Sequence, residues 1–343
     1  MSKRRGLFLA AVRMSVFFLA LLVSTLGTSR ADEITIRYAT YLPPSYTEIF
    51  AGLNKFVEVI NTKGRGKVKI EVYDSEKLLK AKELFTGLTM GTVEAVGVPM
   101  VYWHGTFPLS QGLSLPNIWG GNFERYYKAM DPDSPIAKLL NEDFAKKNIF
   151  IVFGLCDGNE VLWTKGKSVT KPEDFKGLKI RSSGLIPAEV LKRLGASPVD
   201  MPSGDMYTAL QRGTIDGIFG SVMTIHSRGM QEQLDHMTNY PFEDFGPLII
   251  AFRKDWYDGL PADVKSIIEE ASREYRSTMY QATLSVMKER VEAIKSNVQI
   301  MTPDAASAQL FDDKLLPMHE WWAKRPEVGE NGQKLLDLIQ ATK

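Results

Sequence analysis

The run from Pro172 to Gly217, PEDFKGLKIRSSGLIPAEVLKRLGASPVDMPSGDMYTALQRGTIDG, carries the pattern that decides the fold. Leu178 to Arg181 reads as a strand and Ile186 to Leu194 as a helix with apolar residues at helical spacing. Leu210-Gln211-Arg212-Gly213-Thr214-Ile215-Asp216-Gly217-Ile218 then reads as a helix end, a glycine just past it, and a buried strand carrying one acid. The same phrase stands earlier, as Leu88-Thr89-Met90-Gly91-Thr92-Val93-Glu94-Ala95-Val96. A helix, a glycine, a threonine and a strand also recur by chance. If the echo is real, the chain holds two similar α/β lobes, with a ligand in the cleft at the C-terminal ends of their strands.

Outward from this segment the alternation of strand and helix continues. Ile34, Ile36 and Tyr38 alternate with polar residues, Pro43-Pro44 breaks the strand, and Phe50, Leu53, Phe56, Val57 and Ile60 follow at helical spacing. Val68, Ile70 and Val72 alternate again, so residues 34 to 73 read as a βαβ unit. Leu78 to Met90 reads as a helix, and Val93 to Val98, Ile149 to Phe153 and Leu248 to Phe252 read as strands. From Pro261 to about Asn297 no glycine or proline interrupts an apolar stripe through Val264, Ile268, Ala271, Tyr275, Met279, Ala282 and Val286. At ~1.5 Å per residue one such helix would run roughly 50 Å and span both lobes; two helices with a break near Ser277-Thr278 would fit the same pattern.

The first residues carry a different message. Lys3, Arg4 and Arg5 precede apolar stretches and then the small residues Ser24, Gly27, Thr28 and Ser29, the pattern of a secretory signal cleaved after Ala31. Removing the five basic residues of that leader takes the net charge from +1 to −4 over the remaining 312 residues. A chain of 343 residues with 42 basic and 41 acidic side chains has no basic field for nucleic acid. Its single cysteine, Cys156, leaves no intramolecular disulfide, no cysteine-clustered metal site and no lipid attachment beside the cleavage point. The four histidines are far apart in sequence, and no P-loop, dinucleotide glycine motif or nucleophile elbow is present. The expectation is an exported, two-lobed α/β binding protein with no catalytic residues, cofactor or metal.

The Pro172–Gly217 run also resembles the solute-binding receptors of tripartite ATP-independent periplasmic (TRAP) transporters, the DctP-like family. Four blocks of that family stand in order: D-x-K-G-x-K-[IL]-R at Asp174–Arg181, G-A-x-P at Gly195–Pro198, Y-x-A-L-Q at Tyr207–Gln211 and G-x-[IV]-D-G at Gly213–Gly217. Weaker similarity runs from about Ile34 to the C-terminus. The resemblance implies a two-lobed, type II periplasmic-binding-protein-like fold with a long helix along both lobes. Lobe I would be residues 32–155 with about 244–285, and lobe II residues 156–243 with about 286–343. It implies a monomeric receptor in the periplasm that delivers a small organic acid to membrane permease subunits, one small with four spans and one large with many (DctQ- and DctM-like).

In that family the arginine of the first block holds the ligand carboxylate, and Arg181 occupies its position; a guanidinium matches a carboxylate at two points where lysine cannot. This chain departs from the family where a second arginine would fall, at Glu160 or Val161, where an asparagine would fall, at about Gly220, and where an aromatic would fall, at about Ser203. Glu160 facing the cleft would favour a hydroxyl or cationic group on the ligand. Loops after the strands add Tyr41, Tyr46, Tyr102, Trp103, His104, Asp157, Asn159, Phe219 and Ser221 as cleft candidates; the aromatics, Trp103 first among them, would either stack on a ligand or cap the core, and Phe219, which alternates with Ile215, also reads as core. Trp321 and Trp322 are expected to pack on the neighbouring lobe. The competing readings are a receptor for an ATP-driven importer or sensor, and an exported enzyme on the same scaffold using Cys156, Asp157 and Glu160.

Overall fold

The computed structural model describes residues 33–155, 158–244 and 246–342; the expected leader, Cys156 and Asp157 lie outside the described residues. From Thr35 onward the chain forms one compact unit. Within it are two sheets. The strands of the first are β1 (Ile34–Thr40), β2 (Val68–Tyr73), β3 (Ala95–Pro99), β4 (Ile149–Phe153) and, after a long excursion, β10 (Leu248–Arg253), in the spatial order β2-β1-β3-β10-β4. The second contains β5 (Glu160–Thr164), β6 (Lys179–Ser182), β7 (Ser197–Asp200), β8 (Gly217–Gly220), β9 (His236–Glu243) and β11 (Gln299–Met301), in the order β11-β9-β5-β8-β6-β7.

The two glycine-centred phrases occupy equivalent places in these sheets. Gly91 (φ 76°) and Gly213 (φ 65°) are both left-handed, a conformation that glycine adopts without penalty. The Gly91 and Gly213 N–H groups donate to Leu88 O and Leu210 O, each at 3.1 Å, while Thr92 N–H donates to Gly87 O at 2.8 Å and Thr214 N–H to Ala209 O at 2.9 Å. The acid that follows ties down the neighbouring strand. Glu94 Oε2 accepts from Arg37 N–H at 2.8 Å, and Asp216 Oδ2 accepts from Lys179 N–H at 2.8 Å. Both phrases then feed a strand that lies parallel to its neighbour, β3 beside β1 and β8 beside β6, and antiparallel to the next one over, β10 and β5. The order β2-β1-β3-β10-β4 is thus matched by β7-β6-β8-β5-β9, and the echo reflects a repeated architecture.

Among the helices, α1 (Thr47–Lys63) lies along β1 and β2 in sequence, α2 (Leu185–Leu194) follows β6, α3 (Val222–Ser227) follows β8, and α4 (Ala262–Lys295) is one unbroken helix of 34 residues. At ~1.5 Å per residue it is about 51 Å long, and Ser277-Thr278 do not interrupt it. Its first half packs on α1, where Phe56 and Tyr275 meet edge to face at 6.2 Å. Arg276 is buried and donates from Nη2 to Tyr127 O at 3.0 Å and from Nη1 to Met130 O, filling carbonyls at a helix end of the first lobe. Near its other end Ile294 is part of the core under the second sheet, with Trp163, Met206, Leu210, Ile218 and Met230. No helix among the described residues is long and apolar enough to cross a membrane.

Two segments differ from expectation. The stretch from Leu78 is not helical until Ala81, because Glu83 Oε2 turns back to accept the Lys80 N–H at 2.9 Å and starts a short 3-10 turn that runs into the helix Leu84–Thr89. The last helices, Met318–Ala323 and Asn331–Ala341, pack on Pro108–Ser114, and the second of them also on Pro135–Ala145, away from the second sheet. Their apolar residues explain it. Trp322 is fully buried and its ring lies over Gly112, while Arg125 donates to Thr342 O at 2.7 Å. Trp321 instead lies beneath the guanidinium groups of Arg193 and Arg325.

Candidate functional site

β6 carries Arg181 to the C-terminal edge of the second sheet, where it is 3% exposed. Its Nε donates to Met201 O at 3.0 Å, Nη1 to Phe219 O at 3.0 Å, and Nη2 approaches Tyr102 Oη at 3.4 Å. A guanidinium has five N–H donors, so these contacts fix its plane among the described residues and leave donors for a guest. Burial is the largest influence on its charge and opposes it, but Tyr102, Glu160 and Tyr41 outweigh it, and its pKa is raised.

Arg181 lines a cavity of about 70 Å3 between the sheets. One water takes about 10–15 Å3 of such space, so there is room for a small polar molecule. Tyrosines that follow β1 and β3 close one side. Tyr102 Oη lies 2.8 Å from Ser203 N and 3.1 Å from Tyr41 Oη, and Tyr41 Oη lies 3.3 Å from Ser203 Oγ. Behind them Arg228 donates to Tyr46 Oη at 3.2 Å and to Ser203 Oγ at 3.3 Å, with its guanidinium over the Tyr41 and Tyr46 rings. Ser203, at a position where the family pattern has an aromatic, is therefore the hydroxyl on which this cluster converges.

The opposite wall is acidic. Glu160 opens β5 and Glu243 closes β9, and the two are cross-strand partners at an irregularity in the ladder. Both line the cavity. Glu243 is 2% exposed, and its Oε1 has no hydrogen-bond partner among the described residues. Burial, then the charge of Glu160, push its carboxyl well above the usual range, with Arg181 pulling the other way.

Of the residues expected at the cleft, Arg181, Glu160 and Tyr41 line this cavity together with Tyr46 and Tyr102. Four do not. Trp103 packs edge to face on Phe85 at 5.2 Å and borders a separate opening of about 320 Å3 with His104, because a core aromatic cluster with Phe107 and Phe144 takes its ring. Phe219 stacks on Phe242 at 5.2 Å and contributes only its backbone carbonyl to Arg181. Ser221 caps α3, accepting from Thr224 N–H at 3.0 Å. Asn159 is outside the lining of the Arg181 cavity. Sequence reasoning missed Glu243, Ser203 and Arg228. No local signal marks Glu243, which enters the site only through its pairing with Glu160 across the ladder.

Among the described residues no group of three or more metal-ligating side chains comes together. The arrangement offers a guanidinium, a carboxyl pair and several hydroxyls around a small cavity, the equipment of a binding site.

Comparison with known proteins agrees with this architecture. The chain is 29% identical over 325 residues to the C4-dicarboxylate-binding periplasmic protein DctP of Rhodobacter capsulatus, covering 92% of this chain and 93% of that one. It is 24% identical over 280 residues to the ectoine-binding periplasmic protein TeaA of Halomonas elongata, covering 79% and 80% respectively. A Bordetella pertussis extracytoplasmic solute receptor binding pyroglutamic acid superposes with a TM-score of 0.81 at 20% identity, over 89% of this chain and 99% of that chain. Residues 38–325 match the model of the bacterial extracellular solute-binding protein family 7, DctP, and the chain belongs to that family.

Proposed function

We propose that this protein is a periplasmic receptor that captures a small organic acid, holding its carboxylate on Arg181, and hands it to the membrane subunits of a TRAP permease, one small and one large. The observation that carries the reading is the buried Arg181 guanidinium, fixed by Met201 O and Phe219 O at the wall of a small cavity. A planar cation held in this way presents two parallel donors to a carboxylate. The ligands named for its relatives, a C4-dicarboxylate, ectoine and pyroglutamic acid, all carry a carboxylate. Membership of a solute-binding family supports binding rather than turnover as the task of the site.

Closure follows from the positions of the wall residues. Tyr41, Tyr46 and Tyr102 come from the first lobe, while Arg181, Ser203 and Arg228 come from the second, so a guest that bridges them favours the closed form. The test is a thermal-shift screen of small organic acids followed by calorimetry on the hit, with Arg181→Ala beside the parent. Saturable, stoichiometric binding that Arg181→Ala removes is the expected result. Unchanged binding by that variant overturns the reading.

A further inference from the structure

We infer that the cavity selects a zwitterion, an organic acid that also bears a cationic nitrogen, with the carboxylate on Arg181 and the nitrogen against the Glu160–Glu243 pair. The inference rests on the carboxylate role of Arg181 and adds the chemistry of the ligand's other end.

The placement comes from the sheet. Counting across β6, β8, β5 and β9, Arg181 stands on the first strand, Glu160 on the third and Glu243 on the fourth. Neighbouring strands lie about 4.8 Å apart, so β6 and β5 are roughly 10 Å apart; Trp163 is the β5 residue level with Arg181, and Glu160 stands three residues further along that strand. Their side chains line one small cavity. A molecule of a few heavy atoms lying in it meets the guanidinium at one end and the carboxyl groups at the other.

Charge then discriminates between guests. A dicarboxylate lying this way would set its second carboxylate against Glu160 and Glu243, and like charges in a buried site repel strongly. A simple monocarboxylate would leave Glu243 Oε1, sealed from solvent, without a partner as it is in the empty site, and so gains nothing at that end. An ammonium or amidinium end supplies both a donor and the opposite charge. The remaining charged group nearby, Arg228, is engaged with Tyr46 and Ser203 behind the tyrosine wall. The groups facing Glu243 are Glu160 and Arg181, with the tyrosine hydroxyls beyond them.

Burial and the charge of Glu160 raise the Glu243 carboxyl, and a cation set beside it favours the ionised form, so uptake of a zwitterion shifts protons from the site toward solvent. This gives the test a second readout. Calorimetry on the full-length exported chain would compare sets matched in length: 4-aminobutyrate, 4-hydroxybutyrate, butyrate and succinate, and L-alanine, L-lactate and propionate, with ectoine and glycine betaine as further zwitterions. Titrations in phosphate and in Tris would count protons. The expected result is a zwitterionic member binding at least tenfold more tightly than its hydroxy, unsubstituted and dicarboxylate counterparts, with proton release. Glu243→Gln, its fold checked by circular dichroism, would weaken that ligand at least tenfold and leave the monocarboxylates no weaker. A hydroxy acid or dicarboxylate that binds at least as tightly as its amino counterpart, yet is lost in Arg181→Ala, would overturn the inference and leave the carboxylate reading standing. A zwitterion that binds Arg181→Ala unchanged would overturn the carboxylate reading itself.

Discussion

Arg290 Nη2 lies 2.9 Å from Glu48 Oε2, and both side chains are sealed from solvent, at 5% and 0% exposure. The pair joins three elements, because Arg290 of α4 also donates to Thr47 Oγ1 at the start of α1 and to Ser227 Oγ at the end of α3, the latter at 3.1 Å. Removing one partner of a buried pair leaves an uncompensated charge and costs roughly 3–5 kcal/mol, whereas replacing both with apolar residues is often nearly neutral. Arg290→Met and Glu48→Leu are each expected to destabilise by that amount, with the double variant far more stable than their sum. Urea unfolding of the four proteins reads it. Strict additivity would mean that the contact contributes no coupling.

Tyr102 is the residue through which the first lobe touches the anchor arginine. Tyr102→Phe removes the oxygen near Arg181 Nη2 and the acceptor for Ser203 N–H. A single hydrogen bond contributes about 0.5–1.5 kcal/mol net, so ligand affinity should fall roughly 3- to 10-fold with little loss of stability. Arg181→Lys should lose far more, because an ammonium keeps the charge but not the planar fork held by Met201 O and Phe219 O. Calorimetry of the two variants side by side checks the ranking, and an Arg181→Lys protein that binds like the parent would contradict it.

The buried carboxyl of Glu243 makes the empty receptor sensitive to pH. Its folded pKa is raised above the unfolded value of about 4.5 by burial and by Glu160. The folded state therefore keeps a proton that the unfolded chain releases, and stability falls as pH rises from about 4.5 through the folded pKa. Glu243→Gln, which mimics the protonated form, should flatten the decline of Tm between pH 5 and 8 and stabilise the empty protein at the upper end. Parallel pH profiles in a melting assay would reveal it.

The repeated turn offers a stability test of its own. Gly213 has φ 65° with open space around its Cα, so Gly213→Ala should cost about 1 kcal/mol from backbone strain alone. At Gly91 a methyl would come within 2.3 Å of Arg253 Nη1, the far end of a flexible side chain that can swing aside, so Gly91→Ala should cost about the same. Denaturant midpoints of the two variants give the comparison.

How far the chain was legible followed from where the physics is local. Gly213, Thr214 and Asp216 specify a turn and a strand through bonds within a few residues, so the echo with Gly91, Thr92 and Glu94 could be read and the structure repeats it. The unbroken α4 was legible for the same reason, as a stripe with no glycine or proline. β5, β9 and β11 were not, because Glu160–Thr164 and Gln299–Met301 are strands chiefly by virtue of neighbours distant in sequence. The site divided similarly. Arg181 carried a motif. Glu243 becomes a cleft residue only through its pairing with Glu160, and Ser203 and Arg228 only through side chains brought across from the first lobe. Trp103 and Phe219 looked available because sequence does not say that Phe85 and Phe242 already cover their rings.

One feature of α4 bears on how such a molecule moves. Arg276 is lodged among the first lobe's carbonyls and Ile294 in the core beneath the second sheet, and the helix between them has no break. Eighteen residues at ~1.5 Å each make a strut of about 27 Å with both ends embedded. Opening the cleft must bend that strut, or draw one of its ends from its seat. The chain also passes between the sheets from β4 to β5 and from β9 to β10, so the helix works as a spring beside those crossings, and a glycine near its middle, far from Arg181, is expected to ease opening without altering a contact to the guest.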